Sequence, residues 1–181
     1  MSATKLEYPE DSFPTLKPAF IVKAWGISDQ FPCGDVWTGG TLLAVPFYDG
    51  IVESVGGFEP RFKFEIKHGC DYFKIDQDKA HGRLVVKVIL SDDEGRAVTM
   101  TVYGICELNN VNMPILMGDP SAASAPFGYS MEHISFESGH DGYKPLESML
   151  FAGSQRFTAG GHGSLGIEVR ASRIISGTGT E

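Results

Sequence analysis

The sequence predicts an all-β protein: an antiparallel barrel or sandwich of about ten strands with little helix. Three observations carry that expectation. Apolar and polar residues alternate along much of the chain. In "RFKFEIKH", Phe62, Phe64, Ile66 and His68 share one face, and Arg61, Lys63, Glu65 and Lys67 share the other. Short turns rich in glycine or aspartate separate the alternating runs, as "SDDEG" does between "RLVVKVIL" and "AVTMTVYGICEL". Helical spacing is scarce, and "YKPLESMLF" offers a turn or two after Gly142.

In chain order, residues 1–16 read as a mobile arm, 17–176 as one barrel domain and 177–181 as a flexible tail. The first strands are "AFIVKAWGI", "GTLLAVPFY" and "GIVESVGG". "RFKFEIKH" follows, then a glycine break at Gly69 and a second run, "CDYFKID". Beyond "AVTMTVYGICEL" lies a long irregular segment, "NNVNMPILMGDPSAASAPFG". A loop of that length in a small domain is usually functional or disordered. Met113, Ile115, Leu116 and Met117 make its first half too apolar for free solvent. It is expected either to bury against a second copy in a homodimer or to fold over the mouth of its own barrel. "YSMEHISFES", "MLFAGSQRF" and "LGIEVRASRII" complete the strands.

The chain has 181 residues, 42% apolar and 21% charged, as for one ordinary globular domain. Its net charge of −8 argues against nucleic acid and anionic membrane surfaces as partners. Cys33, Cys70 and Cys106 are odd in number and have no paired spacing, so neither a disulfide framework nor a zinc site is expected. With no secretory leader pattern and no long apolar run, an intracellular, cytoplasmic location is expected.

Two motifs are set aside. "GGHGSLG" has G-x-G-x-x-G spacing but precedes an alternating strand rather than a helix, so no dinucleotide cofactor is expected. His68, His81, His133, His140 and His162 do not fall at metal-ligand spacing, and no metal is expected.

The chemistry centres on Asp71. At a hairpin tip it would be an ordinary turn aspartate. If Gly69 carries a bulge, Asp71 shares an inward face with Phe73 and Ile75, and desolvation would raise its pKa. Lys87 on an adjacent strand would hold it ionised, as a base rather than an acid. Tyr103 and His68 are the other candidate catalytic groups, each with an equally simple reading as a satisfied core residue. Trp25, Trp37, Phe47, Phe62, Phe64 and Phe73 are candidate walls of a cavity for a flat aromatic ligand.

Several stretches resemble one family: "TGGTL", "CDYFKI", "RLVVKVILSDDEG", "YGICEL", "FESGHDGYKPLESMLFAG" and "GIEVRAS". Together they are similar to the domain-of-unknown-function family 3237. Cys70, Asp71 and Tyr72 stand where that family has glycine, aspartate and an aromatic. Lys87 stands where arginine is usual, and Met131 is nearest to a second family arginine. Phe136, Glu137, Ser138, Tyr143 and Leu146 follow its Phe-Glu-Thr, Tyr and Leu pattern. The resemblance implies a calycin-like barrel, often oligomeric, here with a more apolar pocket. It also implies kinship with fungal enzymes of natural-product assembly that close rings without a cofactor. His133 and Glu137, in "HISFE", join the candidate substrate contacts.

The leading expectation is therefore a cofactor-independent cyclase or isomerase acting on a hydrophobic aromatic intermediate, with C–O ring closure by intramolecular hydroalkoxylation. A non-catalytic, dirigent-like small-molecule binder and a structural subunit with a filled barrel are the competing readings.

Overall fold

The computed structural model describes residues 8–27, 29–160 and 164–179. The first seven residues of the expected arm, Ser28, the centre of "GGHGSLG" with His162, and the last two residues of the tail lie outside the described residues.

Ten strands are formed: β1 Thr15–Ile27, β2 Phe31–Asp35, β3 Thr41–Phe47, β4 Asp49–Ser54, β5 Lys63–Ile75, β6 His81–Ser91, β7 Ala97–Glu107, β8 Ser130–Glu137, β9 Phe151–Ala159 and β10 Leu165–Ile175. Eight close an antiparallel barrel in the order β1–β10–β9–β8–β7–β6–β5–β4 and back to β1. β4 pairs with the start of β5, Lys63–Glu65, and β3 with its end, Gly69–Ile75. β2 pairs with β3 outside the closed barrel. β2, "FPCGD", was not expected, because an edge strand with a proline and no alternation gives no periodic signal.

β5 is continuous. Its bulge falls between Ile66 and His68, not at Gly69, so Lys67 and His68 both face outward and Gly69 faces in. The described part of the arm is also tied down. A 3₁₀ turn at Glu10–Ser12 presents the carbonyl of Asp11 to the N–H groups of Thr178 and Gly179, at 2.9 and 3.1 Å. β1 begins at Thr15, two residues before the expected domain start.

The interior has two unlike ends. One is plugged by rings: Phe20 lies against Phe62, Phe136 and Phe151 at 5.8, 5.3 and 5.1 Å between centroids. Phe62 stacks on Phe64 at 4.8 Å, and Phe64 meets Tyr143 edge-on at 4.9 Å. Fully burying several such rings contributes roughly 1.5–3 kcal/mol each. Tyr143 and Leu146, from the segment after β8, cap this plug, and Lys144–Ser148 forms the short 3₁₀ turn there.

The other end is aliphatic and hollow. Its mouth is covered by helix α1, Asn112–Leu116. The Asn109 carboxamide oxygen accepts the N–H groups of Val111 and Asn112 at 3.0 Å each, and Asn112 Nδ2 donates to the Glu107 carbonyl at 2.7 Å. Ile115 is buried, Met113 and Leu116 look into the hollow, and Gln30 Nε2 donates to the Leu116 carbonyl at 3.2 Å. Met113, Ile115 and Leu116 therefore obtain their cover from their own barrel, while Met117 is exposed.

Candidate active site

The hollow end is one cavity. Its volume is about 140 Å³. Its wall is aliphatic apart from three rings, five thioether and amide side chains, and two carboxyls. Among the described residues, no lysine, arginine or histidine lines it. The ring of Phe47 lies against Gly69 and that of Phe73 against Gly82, where no Cβ would fit, so both rings lie flat on the wall.

The first carboxyl is Asp71. Tertiary pairing places it between Val45 of β3 and Val86 of β6, side chain inward. The β5–β6 ladder runs through Asp71 and Val86 and resumes at Lys74 and Arg83. In the gap, Asp71 Oδ1 accepts the Val85 N–H at 3.0 Å. Burial pushes the Asp71 carboxyl up to about 7, and the Val85 N–H pulls back only part of the way.

The second carboxyl is Glu132, on β8. Its cross-strand neighbours are Gly104 on β7 and Gly153 on β9. A Cβ at Gly104 would come within 3.0 Å of Glu132 Cγ, and one at Gly153 within 3.2 Å of Glu132 Oε2. Two missing side chains thus make the bed in which this carboxyl lies. Burial, then the charge of Asp71, pushes it up to about 8. Glu132 Oε2 has no hydrogen-bond partner.

Gln155 shares that wall, and Ser130 is buried next to it. Gln155, on the inward face of β9, is 2% exposed, and its Nε2 has no partner. Ser130, two residues before Glu132 on the same inward face, is buried with its Oγ unpartnered. Cys106 is buried, and burial pushes its thiol up to about 12, which leaves it no thiolate and no nucleophilic part.

Among the expected site residues, the cavity gathers Asp71, Phe47 and Phe73. Phe62 and Phe64 are interior but belong to the ring plug at the other end. The others face away. Lys87 is exposed on the outer side of β6 and does not reach Asp71. Tyr103 is on the outer face of β7 and 52% exposed, because Val98, Met100, Val102 and Cys106 set the inner face. His68 points out beside the bulge, with its ring 5.4 Å from that of Tyr48. Trp25 is half exposed and Trp37 97% exposed, so neither walls the cavity. His133 and Glu137 are exposed on the outer face of β8.

Glu132 and Gln155 were missed, yet a signal exists. Ile134 and Phe136 fix the inner face of β8, and parity carries Glu132 inward with them; Phe151 and Phe157 do the same for Gln155 on β9.

Among the described residues, a metal could at most be held at the β5–β6 turn. There the ligand atoms of Asp76, Asp78 and His81 lie within 4.8 Å of one another, but Arg83 already takes Asp76 Oδ2 at 2.8 and 2.9 Å.

No curated protein matches the chain. Solved structures do. A conserved protein of unknown function from Rhodopseudomonas palustris has 21% identity and a TM-score of 0.72, covering 90% of this chain and 98% of its own. A β-barrel-like protein from Acinetobacter baumannii has 16% identity and a TM-score of 0.66, over 93% and 99%. A protein of unknown function from Clostridium acetobutylicum has 16% identity and a TM-score of 0.63, over 88% and 99%. At these identities the likeness speaks to the barrel alone. The sequence itself goes further: with residues 14–174 matched by the family model, this chain belongs to DUF3237, a family of proteins of unknown function.

Proposed function

We propose that the protein is an acid–base cyclase or isomerase of a hydrophobic small molecule, a natural-product intermediate, which it encloses at the hollow end of the barrel. The observation that carries the reading is a pair of carboxyls in a cavity that, among the described residues, no cationic side chain lines. Both are held near neutrality, where general acid–base groups work best. Asp71, with the lower pKa, is the base of the pair, and Glu132 stays protonated as the acid. Isolated buried carboxyls cost stability, and an apolar residue at either place would fold at less cost. The lid α1 excludes water, and the aliphatic wall positions the substrate; positioning alone contributes up to roughly 7–11 kcal/mol to such reactions. Ring closure by addition of a substrate hydroxyl across a double bond suits this pair, because it moves one proton and leaves the mass unchanged.

The test is an untargeted metabolite profile of a strain lacking the gene. A product should disappear and an isomer of equal mass accumulate. Wild-type protein should reverse this, and the Asp71→Asn variant should not. If Asp71→Asn and Glu132→Gln both restore the product, the acid–base reading fails. A dirigent-like binder, favoured by the almost wholly apolar wall, then takes its place.

A further inference from the structure

We infer that the polar wall formed by Gln155 Nε2 and the Glu132 carboxyl is a docking point for a neutral carbonyl oxygen, so that the ligand is a ketone or enone on an otherwise apolar skeleton. This rests on the acid–base reading above and names the substrate class for it. Three buried side-chain atoms lack a partner among the described residues: Ser130 Oγ, Glu132 Oε2 and Gln155 Nε2. All three belong to inward positions of the adjacent strands β8 and β9. The β8–β9 register, Met131 with Ser154 and Glu132 with Gly153, brings Ser130 opposite Gln155 one step further on. The unsatisfied groups thus form one patch rather than three scattered defects. Buried polar groups of a folded protein are nearly always paired, so the orphaned Glu132 and Gln155 atoms in the cavity wall imply a partner that enters with the ligand.

The chemistry of the patch selects that partner. Gln155 Nε2 can only donate and needs an acceptor. An ammonium has no acceptor to offer and would leave Nε2 orphaned. A carboxylate would accept from Nε2, but it would sit beside Glu132 and Asp71 with no lysine, arginine or histidine among the described wall residues to balance it. A hydrocarbon would satisfy nothing. A carbonyl oxygen takes two hydrogen bonds, one from Gln155 Nε2 and one from the protonated Glu132 carboxyl.

That placement completes a balanced reaction. Asp71 takes the proton of the substrate hydroxyl, whose oxygen forms a C–O bond to the β-carbon of the enone. The C=C π pair moves toward the carbonyl oxygen, where Glu132 and Gln155 hold the developing charge. The proton on Asp71 then passes to the α-carbon, the C=O reforms, and Asp71 is regenerated with no co-reactant consumed.

The test is binding by the intact protein at pH 7 of four naphthalenes that differ in one group: 2-acetylnaphthalene, 2-isopropylnaphthalene, 2-naphthoate and 2-naphthylmethylammonium. The ketone should bind about tenfold more tightly than the hydrocarbon, and the two ions more weakly than either. Gln155→Leu should abolish the preference for the ketone and leave hydrocarbon affinity in place. The infrared carbonyl stretch of ¹³C-labelled 2-acetylnaphthalene should move to lower frequency on binding wild-type protein, a readout that needs no variant to fold. The inference is overturned if the ammonium or the naphthoate binds best, or if the bound carbonyl absorbs as it does in hydrocarbon solvent. Either result would leave the equal-mass isomer test untouched. Failure of that test with the carbonyl shift present would overturn the catalytic reading and leave the docking point standing.

Discussion

Glu132 lies over Gly153: a Cβ on that glycine would stand 3.2 Å from Glu132 Oε2 and 2.9 Å from Val169 Cγ1. No strained backbone is involved, since Gly153 is ordinary strand. Its value is the volume it leaves empty. Gly153→Val should push the carboxyl off its bed and crowd Val169, destabilising the fold by roughly 1–3 kcal/mol, as overpacking does. Product formation should fall more than the stability loss explains. Chemical denaturation alongside turnover measures both. A valine variant as active as wild type would show that the bed is not needed.

The carboxyl pair also sets a pH dependence. Burial raises the Asp71 carboxyl from its ordinary 3.8 in the unfolded chain to about 7 in the folded protein. The folded state therefore holds its proton more tightly, and stability falls as pH rises from about 4 to about 8. For Asp71 alone the cost at alkaline pH is on the order of 4 kcal/mol. Glu132 acts in the same direction. Melting temperatures across pH 5–9 should decline for wild type. They should stay nearly flat over that window for the Asp71→Asn, Glu132→Gln double variant, which should be the more stable of the two at pH 8.5.

Much of the barrel was legible in the sequence because alternation is a direct record of which side is buried. "RFKFEIKH" fixes Phe62, Phe64 and Ile66 inside, and the strand obeys it as far as Ile66. The site was less legible for two physical reasons. A bulge shifts the side-chain phase by one residue without any composition of its own. It came at Lys67–His68, so His68 turned out while Asp71 still turned in. A period-two pattern also cannot tell a filled interior from a hollow one. Phe62 and Phe47 read alike, yet one plugs the barrel and the other lines the cavity. Glu132 was readable from Ile134 and Phe136, whereas its neighbours His133 and Glu137, singled out in "HISFE", fall on the outward phase of the same strand. Lys87 and Tyr103 failed by the same parity rule, one on each outer face of the β6–β7 pair.

The lid gives a kinetic prediction. Gln30 Nε2 bonds the Leu116 carbonyl at 3.2 Å, and Leu116 closes the mouth with Met113. Leu116→Ser removes the apolar seal and leaves α1 weakly seated. A neutral solvatochromic dye in the cavity should dissociate several-fold faster from this variant by stopped flow, with a smaller change in its rate of entry. Equal dissociation rates would mean that α1 is not the gate.

The last prediction separates the two ends of the barrel. Asp92, buried beside the ring plug, accepts Tyr143 Oη–H at 2.7 Å, Arg96 Nε–H at 2.6 Å and the Arg96 N–H at 2.8 Å. Burial pushes this carboxyl up, but those donors, Tyr143 first, more than reverse it and hold it well below the usual carboxylate range. The sign is thus opposite to that of Asp71. Asp92 contributes stability that is present above about pH 4 and lost as pH falls through its folded pKa. Tyr143→Phe keeps the edge-on contact with Phe64 and deletes one donor to a buried charge, at a cost of roughly 1–3 kcal/mol. None of these residues lines the cavity. The variant should therefore melt lower at pH 7, lose part of the acid-side dependence of stability, and bind 2-acetylnaphthalene with wild-type affinity. A loss of affinity matching the loss of stability would show that the plug and the cavity are energetically one unit.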